Sequence, residues 1–177
     1  LPNLWYISSM QKLAIPLLTL IFIVSCSETN SYSSRLLNAD TEDESWLLHG
    51  RTYDESRFSP LRDINDSNVD KLGLSWSFET GTNRGHETTP IVVDGMMFIT
   101  APWSVVFALD AKTGKEIWSF DPEADKAWAR NACCDVVNRG VAVWGDDVVF
   151  ATIDGRLISL DKESGEVNWD VLTIDKS

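Results

Sequence analysis

The feature that most constrains this chain is a repeat. Asp110, Gly114 and Trp118 in ALDAKTGKEIW recur as Asp161, Gly165 and Trp169 in SLDKESGEVNW, each displaced by 51 positions. Around these anchors, short β-rich runs alternate with turn residues. The first series runs Thr89 to Val93, Met97 to Thr100, Val105 to Leu109 and Glu116 to Phe120, with turns at Asp94-Gly95 and Lys112-Thr113-Gly114. The second runs Gly140 to Val143, Val148 to Thr152, Leu157 to Leu160 and Val167 to Val171, with turns at Gly145-Asp146, Asp154-Gly155 and Ser164-Gly165. Each series predicts four antiparallel strands joined by tight turns. A four-stranded unit cannot bury both of its faces alone, so self-similar units stack radially in a propeller.

The chain is therefore expected to be all-β, a partial β-propeller of about two four-stranded blades plus an incomplete one. A Trp at a fixed place in each unit can wedge between neighbouring sheets, its indole N–H reaching a backbone acceptor. Trp118 and Trp169 are the docking candidates. Trp76, in LGLSWSFETG, is expected on a comparable strand of the incomplete blade, after a short helix around Asp66 to Leu72 that Gly73 can end. Core packing is the primary role of all three.

Between the two series lies DPEADKAWARNACCDVVNRG, longer than a turn requires, and long loops on rigid scaffolds commonly hold sites. Its centre is the adjacent pair Cys133-Cys134. Three cysteines and two histidines, without a C-x-x-C or H-E-x-x-H pattern, leave little for a zinc site. In an exported chain with one Cys for lipid, two remain to pair. Adjacent Cα atoms lie about 3.8 Å apart across a trans peptide, below the usual disulfide range of roughly 4.4–6.8 Å, so such a bridge must distort the peptide. It would be a rigid, polarizable platform for a flat aromatic cofactor rather than a general stabiliser; two unpaired buried thiols are the alternative.

The N-terminal residues read as an address. From Met10, MQKLAIPLLTLIFIVSC carries Lys12 and then an uncharged run from Leu13 to Cys26, a signal-peptide pattern over 10–25 too short for a comfortable span of about 20 residues. Ile23-Val24-Ser25-Cys26 resembles a lipoprotein processing box, which makes Cys26 the expected lipidation site; an unlipidated signal peptide or an incidental thiol are the alternatives. Residues 1–9 fit no part of a signal peptide and are read as translated upstream sequence. Residues 26–45, rich in Ser, Asn, Asp, Glu and Thr, read as a flexible tether, and residues 46–177 as the folded part. A periplasmic, lipid-anchored protein is expected, touching the membrane through that anchor alone. The net charge of −12 repels phosphate backbones, which argues against nucleic-acid binding.

A-x-D-x-x-T-G-K-x-x-W, complete at Ala108 to Trp118 and degenerate at Ser159 to Trp169, is similar to the tryptophan-docking motif of the quinoprotein dehydrogenases. NACCDVVNRG at 131–140 resembles the vicinal-disulfide segment of the pyrroloquinoline quinone (PQQ)-dependent alcohol and methanol dehydrogenases, and GHETTPIVVDG at 85–95 resembles the segment supplying their cofactor-binding Glu. The similarity runs from about Trp46, through GRTYDESRFSPL, to the last residues, and its most specific element is the CC pair with Arg139 five residues after Cys134. The resemblance implies an eight-bladed propeller and a Cys133–Cys134 disulfide. It also implies that Glu87, Cys133, Cys134 and Arg139 face the cofactor. Arg139 suits a planar, polycarboxylate quinone as a bidentate donor, and Glu87 can orient Arg139 or accept a cofactor N–H or hydroxyl. Without the resemblance, Arg139 reads as a surface ion pair with Asp135 or a neighbour, Glu87 as a solvated loop acid and His86 as a polar loop residue. Neither His86 nor Trp103, which lie beside these segments, is assigned a catalytic role.

The family activity so implied is PQQ- and calcium-dependent oxidation of primary alcohols to aldehydes, with electrons passing to a cytochrome c; a lanthanide in place of calcium stays open. In the family the metal ligands, the catalytic Asp and the Trp over the other cofactor face come from later blades, and they have no counterpart here. Eight blades of about 40–45 residues need well over 300, so residues 26–177 amount to about a quarter of a ring and are expected to be an inactive N-terminal fragment. The competing expectation is a non-catalytic propeller lipoprotein acting as an outer-membrane assembly scaffold, which would need neither the CC pair nor Arg139.

Overall fold

The computed structural model describes residues 27–175; the expected signal peptide, the expected processing box and Cys26 lie outside the described residues. Two antiparallel four-stranded meanders form, one per repeat. The first comprises β1 (Ile91–Val93), β2 (Met96–Thr100), β3 (Val106–Asp110) and β4 (Glu116–Phe120) in the order β1-β2-β3-β4. The second comprises β5 (Ala142–Trp144), β6 (Asp147–Ala151), β7 (Arg156–Asp161) and β8 (Val167–Leu172) in the order β5-β6-β7-β8. These are the eight expected strands, and the irregularities repeat too. A register shift falls between Ala108 and Leu109 in one sheet and between Ser159 and Leu160 in the other.

Strand alternation decides what each face meets. Val93, Phe98, Val106, Ala108 and Trp118 of the first sheet share a core with Val143, Val148, Phe150, Ile158 and Leu160 of the second. At about 1.5–3 kcal/mol for each fully buried large aliphatic or Phe side chain, this interface is the main source of stability. The opposite face of the first sheet, Phe107 and Leu109, packs against Trp76 and Phe78, with Phe78 edge-on to Phe107 at 5.1 Å. β3 is accordingly buried on both faces, whereas β8 is exposed along its whole length.

The glycines of the repeat are the seats for the tryptophans. Gly114 and Gly165 adopt φ of +71° and +73°, and a Cβ on them would come within 2.3 Å of Trp76 and 2.7 Å of Trp118 respectively. Each Trp of one unit thus lies flat on the turn glycine of the next. Trp118 is buried, and its Nε1–H donates to the Lys162 carbonyl oxygen at 2.9 Å, the wedge expected from sequence. Trp169, expected to dock likewise, is 39% exposed. No further glycine turn among the described residues covers it.

Three expectations need correction. The segment read as a tether contains a helix, α1 (Ser27–Leu37), followed by a 3-10 turn at Ala39–Thr41. Its average composition is polar, but Tyr32, Leu36 and Ala39 fall at helical spacing and are buried in the inter-sheet core with Leu47. Arg35 fastens it by pairing with Glu42 at 2.5 Å and Asp94 at 2.8 Å. The helix around Asp66 to Leu72 shrinks to a 3-10 turn, Val69–Lys71, because the Asn side chains take over local backbone groups: Asn68 Oδ1 accepts from the Asn65 N–H and Asn65 Oδ1 from the Ser67 N–H. Finally, Trp76 does not lie on a strand. Residues 72–80 are unpaired among the described residues and engage the first sheet through side chains alone.

Candidate cofactor-binding site

The connection from β4 to β5 builds the site. Asp125 starts a 3-10 helix, Lys126–Asn131, by accepting from the Ala127 N–H, and the chain then bends through Cys133, Cys134 and Asp135. Asp135 turns it back with φ +68°. Val136 is buried, and its carbonyl accepts from the Trp103 N–H at 2.9 Å. Trp103 itself holds φ +66°, a left-handed conformation that costs of order 1–3 kcal/mol and persists only where the surroundings enforce it. The guanidinium of Arg84 and the ammonium of Lys126 lie 5.7 and 5.9 Å from its ring centre, and Arg84 also pairs with Asp135. Trp103, given no chemical role from sequence, is thus the pillar on which this loop rests.

Beyond Val136 the chain meets the 85–90 segment. The Thr89 N–H donates to the Arg139 carbonyl at 3.1 Å. Gly140 sits so close, at φ +122°, that a Cβ would come 2.9 Å from the Thr89 carbonyl oxygen, so this contact demands glycine. Arg139 and Glu87 are thereby placed opposite each other, Nη2 to Oε2 at 3.0 Å. Arg139 pairs with Glu87 and leaves Asp135 to Arg84, so the surface ion pair read without the resemblance forms with a neighbour, Glu87, rather than with Asp135. Arg139 remains 74% exposed, with most of its donor fork open to a ligand.

The cysteines stand in the same electrostatic neighbourhood. Cys133 and Cys134 are both exposed and both free thiols, so the bridge expected from the resemblance is not formed in this structure; nor are they the buried thiols of the alternative. Joining them requires the peptide distortion noted above. The hydrogen bond with Cys133 pushes the Cys134 thiol above its ordinary pKa, with the Cys133 and Glu87 charges adding to the rise and Arg139 opposing it. All four expected residues, Glu87, Cys133, Cys134 and Arg139, are therefore brought together. His86 is an exposed loop residue whose Nε2 lies 2.7 Å from Thr80 Oγ1.

Sequence reasoning missed the residues behind this face. Thr88, Thr100 and Asn138 join the two segments: the Thr100 N–H donates to Thr88 Oγ1 at 2.9 Å, and the Thr100 hydroxyl lies 3.3 Å from the Asn138 carbonyl oxygen. The available signal was a threonine closing an apolar strand and an asparagine directly before the arginine. Among the described residues no group of three or more His, Cys, Asp and Glu side chains could hold a metal ion.

Two stacked four-stranded blades with a tryptophan wedge, and an Arg–Glu pair beside adjacent cysteines at one blade-to-blade connection, define a propeller of the quinoprotein type. The family profile for the PQQ glucose/ethanol/alcohol dehydrogenase β-propeller domain matches residues 46–170, and the chain belongs to that family. It is 51% identical over 144 residues to the quinohemoprotein alcohol dehydrogenase ADH-IIG of Pseudomonas putida, covering 81% of this chain and 20% of that protein. It is 49% identical over 129 residues, 73% of this chain and 19% of the relative, to the 1-butanol dehydrogenase (cytochrome c) of Thauera butanivorans. The solved structure of ADH-IIG superposes with a TM-score of 0.78 over 81% of this chain and 21% of that one. A europium-containing methanol dehydrogenase superposes at 0.75 with 36% identity, over 80% and 25% respectively. The chain spans about a fifth of the length of the curated relatives it matches.

Proposed function

We propose that this chain supplies one wall of the PQQ site of a periplasmic alcohol dehydrogenase that oxidises primary alcohols to aldehydes and delivers the electrons to a cytochrome c. The observation that carries the reading is the convergence of Glu87, Arg139, Cys133 and Cys134 at one exposed patch between two blades. The donor set suits the cofactor. PQQ is a planar ortho-quinone bearing three carboxylates, and a largely exposed guanidinium oriented by a carboxylate offers a forked, charge-assisted clamp for such a group. The paired sulfurs offer a polarizable surface for the ring, and on export they are proposed to form the vicinal disulfide by thiol–disulfide exchange, their two electrons and two protons passing to a disulfide-carrying oxidant of that compartment, which is reduced to its dithiol.

When bound, PQQ supplies the two-electron acceptor for the alcohol. This chain's own residues would bind and orient it: Arg139 would clamp a carboxylate, Glu87 holds Arg139 at 3.0 Å, and the cysteine pair would offer a surface to the ring. Calcium, or a lanthanide as the europium-containing relative suggests, would be held by residues beyond those described here. A lipid on Cys26 would tether the protein to the membrane. Relatives named as quinohemoprotein alcohol dehydrogenases and as a cytochrome c-linked butanol dehydrogenase support the activity and the electron acceptor.

The deciding experiment is exported expression of the whole protein that carries this chain, with PQQ and calcium, and a dye-linked ethanol oxidation assay beside a Cys133→Ser/Cys134→Ser double variant. Activity that requires both PQQ and the cysteine pair supports the reading. A protein that neither binds PQQ nor oxidises alcohols sinks it in favour of a propeller scaffold.

A further inference from the structure

The ligand-facing side chains of this site are exposed and long, so their own packing cannot fix them; whatever sets the spacing of Glu87 and Arg139 must act through the backbone on either side. Asn138, directly before Arg139, has each of its side-chain hydrogen-bonding groups engaged. Its Nδ2 donates to Ser104 Oγ at 3.0 Å and to the Ala151 carbonyl at 2.9 Å, and its Oδ1 accepts from the Gly140 N–H at 3.0 Å. Ser104 lies between β2 and β3 of the first sheet and Ala151 ends β6 of the second, so one amide group ties both blades to the backbone around the arginine. Thr88, directly after Glu87, is held in turn by fully buried Thr100. The Thr88 Oγ1 accepts from the Thr100 N–H at 2.9 Å and from its hydroxyl at 3.0 Å, and that hydroxyl also lies 3.3 Å from the Asn138 carbonyl.

We propose that Asn138 and Thr100 act as one clip of positioning residues, setting the distance between Glu87 and Arg139 and hence the place where the guanidinium meets a carboxylate of PQQ. The proposal rests on the cofactor reading given above. Neither residue faces the ligand; both act through Arg139. Because Asn138 is bonded to both blades, a change there shifts Arg139 relative to Glu87, whose own segment is held by Thr100 of the first blade and by the Thr89 N–H bond to the Arg139 carbonyl. Preorganisation of a binding group by the polar groups behind it is commonly lost by such a change, and a misplacement of about 1 Å is enough to weaken function by orders of magnitude.

The test is PQQ affinity of the whole apoprotein, titrated with PQQ at fixed calcium by quenching of tryptophan fluorescence, in Thr100→Val, Asn138→Ala, Arg139→Ala and the two double variants with Arg139→Ala. Thr100→Val keeps the side-chain shape and removes the hydroxyl, so it carries the test should Asn138→Ala fail to fold. Each single substitution in the clip is expected to weaken PQQ binding roughly tenfold. Thr100→Ser is expected to restore it, and the loss should vanish in the Arg139→Ala background, where nothing is left to position. Unchanged affinity in both single variants overturns the clip, as does a loss of the same size with and without Arg139, which is what a general weakening of the fold would give. If Arg139→Ala by itself leaves PQQ affinity unchanged, the cofactor reading fails and the clip falls with it, an outcome distinct from a clip that fails beside an Arg139 that matters.

Discussion

Gly145 and Gly165 offer a matched pair that isolates the tryptophan wedge. Both hold positive φ, +62° and +73°, so an alanine at either carries a left-handed strain of about 1–2 kcal/mol, partly offset by a stiffer unfolded chain worth about 0.4–1 kcal/mol. They differ in what the new methyl group meets. At Gly145 nothing lies within 4 Å, whereas at Gly165 the Cδ2 and Cε3 atoms of Trp118 would be 2.7 and 2.8 Å away. Trp118 cannot swing aside without giving up its bond to the Lys162 carbonyl, worth about 1 kcal/mol. Forcing a methyl group into a packed site costs about 1–3 kcal/mol more. Gly165→Ala is therefore expected to destabilise the protein by about 2–4 kcal/mol beyond Gly145→Ala. Urea midpoints of the whole protein, followed by circular dichroism so that tryptophan emission is not the probe, measure the difference. A Trp118→Ala background, with the ring gone, should erase the excess. Equal destabilisation by the two alanines, within about 0.5 kcal/mol, would refute the wedge as the reason for glycine in this repeat.

Other outcomes follow from the same geometry. Asp154 is desolvated, which raises its pKa, but bonds from the Thr152 hydroxyl, the Asp125 N–H and Arg156 outweigh this and hold it down at about 2. A carboxyl with a depressed folded pKa contributes stability above its unfolded pKa and loses it as pH falls through the folded value. Asp154→Asn should therefore flatten the loss of stability between about pH 4 and pH 2, measured as thermal midpoint against pH. In the reduced protein, the raised pKa of Cys134 means less thiolate at pH 8, so its alkylation by iodoacetamide, followed by peptide mass spectrometry, should be slower than that of an ordinary exposed cysteine. Leu36→Ala should cost about 2–5 kcal/mol, as for other buried leucines, and should make residues 27–45 sensitive to limited proteolysis. A true tether would show no change in stability.

The strands and turns were legible in the sequence because they depend on local rules. Apolar alternation and Asp-Gly, Ser-Gly and Thr-Gly turns act within a few residues, and the recurrence of Asp110, Gly114 and Trp118 as Asp161, Gly165 and Trp169 restates one solution twice. Glu87, Cys133, Cys134 and Arg139 were singled out through motif resemblance, and the structure pairs Glu87 with Arg139 and sets their charges against Cys134. The helix over Ser27–Leu37 escaped notice because its stability comes from burying Tyr32 and Leu36 on sheets that begin more than fifty residues later, which no average over the segment can register. The strand expected at Trp76 failed for the complementary reason: a strand exists only where another offers it hydrogen bonds.

The sequence by itself determined the architecture of the unit and the position of the Trp118 wedge, since these follow from periodicity and turn chemistry. Only the tertiary structure decided which partner each group takes. It gave Arg139 to Glu87 and Arg84 to Asp135, covered Trp118 and left Trp169 open, and placed Thr100 and Asn138 behind the site. Those choices are set by contacts between residues far apart in the chain, and the sequence alone does not rank such contacts.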